Sequence, residues 1–105
     1  MATVKIGGYD YVVYLGDGTV FESSRYGDVR HDLLRIRLDK DCHEKVKLTT
    51  LLHEAIHAMS FTAGIKMTED QIDPLAHQMH AFLIENGVDL TPLHKTIGEA
   101  VMQQA

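Results

Sequence analysis

Thr50-Leu51-Leu52-His53-Glu54-Ala55-Ile56-His57-Ala58-Met59 is the stretch on which the reading of this chain turns. Around it, Leu48, Leu52, Ala55, Ile56, Met59 and Ala63 recur at helical spacing, and Gly64 follows where a left-handed C-cap residue belongs. The spacing therefore predicts a helix over residues 44–62. On it His53 and His57 lie one turn apart and point the same way, so both imidazoles can reach one metal ion. Glu54 is offset by about 100°, which keeps its carboxylate beside such an ion rather than on it. There it can take a proton from a metal-bound water and later pass it to a leaving group. A pattern with three fixed positions arises by chance in many helices. Here the apolar stripe on the neighbouring helix face means that both histidines flank the core instead of filling it.

Downstream, Ile72, Ala76, Met79 and Leu83 mark a second helix that stops at Asn86-Gly87. Its start has two readings. Thr68 and Gln71 are spaced as a capping box, whereas Asp73 followed by Pro74 suits an N-cap with proline at the first helical position. A catalytic zinc site needs a third protein ligand and an open position for water. Asp73, His77 and His80 form one stripe on this helix and are the candidates. Each also has a bland reading, Asp73 as a cap and the two histidines as exposed polar positions. Glu69, at a helix start, reads as a partner for the helix dipole. Thr91-Pro92 opens a last helix running to about Met102, with Leu93, Ile97 and Val101 on one side.

Upstream the pattern changes to strands. Val4, Ile6 and the run Tyr9-Asp10-Tyr11-Val12-Val13-Tyr14-Leu15 are interrupted by Gly7-Gly8 and closed by Gly16-Asp17-Gly18, which predicts a β-hairpin and a turn. Thr19-Val20-Phe21 extends a further short strand, and Ser23-Ser24-Arg25-Tyr26-Gly27-Asp28 has loop chemistry. Leu34-Arg35-Ile36-Arg37-Leu38 alternates apolar and basic residues, as a half-buried strand does. Strands first and helices after, without βαβ alternation, predict an α+β fold: a small antiparallel sheet packed on two or three helices.

The chain has 105 residues, 45% of them hydrophobic, which fits a single domain over residues 1–105 with one core. Its formal net charge of −5, with basic residues scattered, argues against nucleic acid as the main partner. Cys42 is the one cysteine, so an internal disulfide and a cysteine-based zinc finger are both excluded. The N-terminus carries no apolar stretch suited to a signal peptide or membrane span, so the expectation is a cytoplasmic protein that does not engage membranes. Seven histidines are the compositional oddity, and His43, His53, His57, His77 and His80 fall in the middle of the chain.

Thr50-Leu51-Leu52-His53-Glu54-Ala55-Ile56-His57-Ala58, with Met67-Thr68-Glu69-Asp70-Gln71-Ile72-Asp73-Pro74-Leu75-Ala76 and Phe82-Leu83-Ile84-Glu85-Asn86, resembles small phage and prophage HExxH metallopeptidases, minimal relatives of the ImmA/IrrE and gluzincin-like peptidases. The resemblance covers roughly residues 36–86, with a weaker echo in Lys5-Ile6-Gly7-Gly8-Tyr9. It implies a zincin-like fold and a zinc-dependent hydrolase that cleaves peptide bonds in a protein or peptide substrate, acting in the host bacterial cytosol if phage-encoded. Glu54 would be the catalytic base and then acid, and zinc would sit on His53, His57 and an acidic residue three positions before an alanine. That position is Asp73, before Ala76. The family commonly has Glu there, so a shorter carboxylate followed by Pro74 leaves His77 as the alternative ligand. The resemblance further implies that an extended substrate pairs with the strand before the motif helix, here residues 34–38. Tyr26 and His80 are candidates for stabilising an oxyanion. The competing expectation is a non-catalytic interaction or regulatory protein in which zinc staples two helices. A DNA-associated regulator is disfavoured by charge.

Overall fold

The computed structural model describes residues 1–21 and 25–103, so Ser23 and Ser24 of the expected loop lie outside the described residues. Strands β1 (Thr3–Ile6) and β2 (Tyr9–Gly16) form the expected hairpin. Its turn is Gly7-Gly8, with φ of 59° and 86°, a conformation that side chains with a Cβ rarely adopt. The next segment is not a strand: Gly18–Val20 forms a single 3-10 turn capped by the Asp17 side chain, which accepts from the Thr19 amide.

Strand β3 (Gly27–Arg30) runs antiparallel to β4 (Arg35–Asp39), which in turn lies parallel to β2. The sheet is therefore mixed, not antiparallel as expected. The reason is local: the end of the segment with loop chemistry is itself a strand, and the reversal it introduces brings β4 back alongside β2 in the same direction. Asp28 faces Arg37 across the β3–β4 register and pairs with it, which stabilises a strand of few apolar residues.

Helix α1 (Glu44–Ala63) spans the predicted segment and ends at Gly64, whose φ of 72° is left-handed. Helix α2 (Glu69–Glu85) starts from Thr68 with the full capping box to Gln71, so Pro74 lies inside the helix. Helix α3 (Thr91–Glu99) stops short of the expected Met102, because Val101–Met102 forms β5 and pairs with β2. Backbone hydrogen bonds to the sheet win over continuation of the helix.

The main core brings Tyr11 and Val13 of β2 and Ile36 and Leu38 of β4 against Leu48, Leu51 and Ala58 of α1 and Ile97 of α3. The buried stripe of α1 is thus rotated from the predicted one: Leu51 and Ala58 face the sheet, while Met59 is 53% exposed. A second, smaller cluster of Ile56, Ile72 and Ala76, with Met67 against it, holds α2 on α1. Sheet order is β1-β2-β4-β3, so β4 is paired on both sides and has no edge to offer a substrate. Among the described residues β3 is the outer strand on the β4 side of the sheet. Gly27 fixes its distance from α1, since a Cβ there would meet the Thr50 side chain at 2.6 Å and the Arg37 carbonyl at 2.7 Å. No helix among the described residues is long and apolar enough to cross a membrane.

Candidate metal centre

The rotation of α1 that turns Leu51 and Ala58 into the sheet places His53 and His57 toward α2 and leaves Glu54 buried between, at 5% exposure. The histidine rings are 5.0 Å apart between centroids and tilted by 55°. The capping box at Thr68 puts Glu69 in the first turn of α2, directly over the two rings. Nε2 of His53 lies 2.9 Å from Glu69 Oε2, and Nε2 of His57 lies 2.6 Å from Glu69 Oε1. One donor atom from each of His53, His57 and Glu69 falls within 4.8 Å of the others, a group that could hold a metal ion.

The chemistry of the set fits a divalent ion. Nε2 of His57 is buried and has no aligned hydrogen bond, although a Glu69 oxygen is close to it. A nitrogen and a carboxylate oxygen held close but out of hydrogen-bond line suit a shared cation between them. Zinc at about 2.0–2.1 Å from each ligand keeps its ligands roughly 3.4 Å apart. A small swing of Glu69, whose side chain is still 41% exposed, accommodates that.

Asp73, the third ligand suggested by the sequence, is not in this group. Its Oδ1 lies 3.3 Å from Nδ1 of His53, the other ring nitrogen, and its side chain is 66% exposed. The cause is the helix start: with Thr68 as N-cap, Glu69 takes the turn above the rings and Asp73 falls one turn further along. Carboxylates at that outer position fix the tautomer and orientation of a ligating imidazole. His77 is exposed and lines the neighbouring cleft, and His80 lines neither hollow of the site. Glu69 was legible in principle, because it precedes Asp73 by four residues on the same stripe once the capping box is taken as the start. Tyr26, the other oxyanion candidate, lines the cleft but is 53% exposed.

Two hollows meet at this group. The larger, about 710 Å3, runs between the first half of α1 and the head of α2, from Val46 and Thr50 to Asp73 and His77. The smaller, about 180 Å3, lies behind it against β3, reaching Asp28 and His31. Glu54 is pushed up to about 8, by burial first and then by the carboxylates of Glu69 and Asp28, with Arg25 opposing. Burial also holds His57 below the ordinary histidine value, against the pull of Glu69. For Glu69 burial acts upward, but His57, His53 and Arg25 together outweigh it and hold the carboxyl low. The metal-free group is thus two rings sharing an ionised carboxylate, with a second carboxyl buried beside them that resists ionisation. Compared with known proteins, no family model, curated protein or solved structure matches the chain.

Proposed function

We propose that this chain is a zinc-dependent peptidase, with His53, His57 and Glu69 as metal ligands and Glu54 as the general base. The observation that carries the reading is a three-donor group at the wall of an open cleft with a buried carboxylate at its side. Structural zinc sites are closed by four protein ligands, whereas catalytic sites use three and keep one position open. Zinc, when bound, supplies a Lewis acid that polarises a carbonyl and acidifies water. Glu54, buried beside the donor group, accepts a proton from the attacking water and returns it to the departing amine. Asp73, with Oδ1 3.3 Å from His53 Nδ1, is placed to orient that ring so that its Nε2 faces the site. The sheet edge beside the cleft is β3, so an extended substrate would add to β3 rather than to residues 34–38.

A second reading has support of its own: the donor group bridges α1 and α2, which share only a small apolar cluster, so zinc could act as a staple in an interaction protein. Zinc affinity and hydrolysis of unfolded casein, measured on single variants, separate the two. Glu69→Ala should lose zinc and activity together, and Asp73→Ala should weaken zinc by about 10–100-fold. Glu54→Gln should keep zinc and lose about 10²–10⁴-fold in hydrolysis. Zinc uptake by the wild type with no hydrolysis would leave the staple reading in place of the peptidase. Retention of full zinc affinity by Glu69→Ala would break the ligand assignment itself.

A further inference from the structure

We propose that two copies of this chain associate through the uncharged flank of α1 and α2 that lies opposite the donor group, with α2 packed antiparallel on α2 of the partner subunit. The two helices of one chain meet through Ile56, Ile72 and Ala76. With about 100° between successive residues, Glu69 and Asp73 fall on one side of Ile72, and Leu75, Met79 and Phe82 fall on the other. α1 divides in the same way about Ile56: His53 and His57 stand on the side of the donor group and Met59 on the opposite side. The four apolar residues of that opposite flank are open, at 53% for Met59, 41% for Leu75 and Met79, and 57% for Phe82.

α2 is the element that calls for this cover. Of its 17 residues only Ile72 and Ala76 are buried, although a helix draws most of its stability from packing an apolar face. Leu75, Met79 and Phe82 form a second apolar stripe beside the buried one. Charge then selects the occupant. The chain carries a net charge of −5, so two copies repel over most of their surface. The polar residues of this flank are the uncharged Gln71, Gln78 and Asn86, while Glu69, Asp70 and Asp73 turn away and Glu85 stands about 60° beyond Phe82. A face without charge is one on which two acidic copies can meet without repulsion. Its size fits as well. Four side chains open to this degree present on the order of 400 Å² of apolar surface, enough to mark an interaction site and about half of what a standard interface buries per partner. With the amides at its rim, that area suits a dimer in exchange with monomer rather than a permanent one.

A two-fold axis makes the contact self-complementary. Met79 is the middle residue of the stripe, so it faces Met79 of the partner subunit, and Leu75 faces Phe82 of the partner subunit. An unbranched methionine adapts well to a contact with its own copy. The two α1–α2 pairs then form a four-helix layer. The donor group and its cleft lie on the other flank, so association leaves them open and does not depend on the peptidase reading.

Sedimentation equilibrium of the full chain, with a chelator present so that no shared ion bridges the copies, should show monomer and dimer in exchange between about 10 and 200 µM. Met79→Glu and Met79→Lys each set like charges together at the axis and should weaken the dimer by at least about 100-fold. Position 79 is exposed, so circular dichroism should show wild-type helix content for both. An equimolar mixture of the two variants should recover the dimer, because the axis then sets opposite charges together. Phe82→Gln, which adds no charge, should weaken it about 10-fold. A wild type that stays monomeric up to about 200 µM overturns the proposal. So does either charged variant dimerising with wild-type affinity, and a mixture of the two folded variants that fails to associate overturns the two-fold arrangement at Met79.

Discussion

Helix α1 and helix α2 contribute to the same centre from very different foundations. α1 is set into the main core through Leu48, Leu51 and Ala58, so His53, Glu54 and His57 stand on a face whose orientation the whole sheet determines. α2 buries only Ile72 and Ala76 along its length, against Ile56 and Met67, with Leu83 touching the main core near its far end. Glu69 and Asp73 therefore stand on an element held by few apolar contacts, by a capping box and by their own contacts with the histidines. A centre divided in this way has one half set in the core and one half that a bound ion would help to fix.

Truncating each foundation gives the largest contrast. Leu51→Ala should cost about 2–5 kcal/mol of global stability, since it opens a cavity beneath the sheet. Ile72→Ala should lower the global melting transition less and weaken zinc binding more than about 10-fold, because α2 can detach while α1 and the sheet stay folded. Denaturant titrations with a zinc-competition assay would check both. If the two variants lose equal stability and keep wild-type zinc affinity, the helices behave as one body and the contrast is false.

Zinc itself sharpens the comparison. Amide exchange with and without the metal should show new protection concentrated in α2, around Ile72 to Ala76, and little change in α1 near Leu51. Uniform protection of both helices would mean that α2 needs no help from the ion.

The smallest expected effect concerns pH in zinc-free protein. The folded-state value of Glu54, about 8, lies above its unfolded value near ~4.3, so the native state holds that proton more tightly. Its contribution to stability is complete below the unfolded value and is lost as pH rises through the folded one. His57, held low by burial, works in the opposite sense below about pH 6.5, which leaves roughly pH 6.5–8 as the clean window. Across it the zinc-free wild type should lose on the order of 1 kcal/mol. Glu54→Gln should show a flatter profile and a higher melting temperature at pH 8. Matching slopes in the two proteins would show that Glu54 is better solvated than its burial implies.

The hairpin, the β4 strand, α1 and its Gly64 cap, and the two histidines with Glu54 beside them were all legible in the sequence. Each depends on local spacing: period two in a strand, one helical turn between His53 and His57, a left-handed glycine at a helix end. The start of α2 was half legible, since Thr68 and Gln71 state a capping box while Asp73-Pro74 states a rival start, and only packing of Ile72 and Ala76 onto Ile56 decides between them. That decision is what sets Glu69 over the rings and Asp73 behind His53. The parallel pairing of β2 with β4, the role of β3 as an outer strand and the nearness of Arg25 to Glu69 had no periodic signal at all. They follow from the pairing of β4 with β2 and from the fit of Gly27 against Thr50, contacts between residues far apart in sequence. Sequence by itself determined which side chains could meet a metal, because helical geometry is local; tertiary structure decided which carboxylate faces them, because that depends on how separate elements pack.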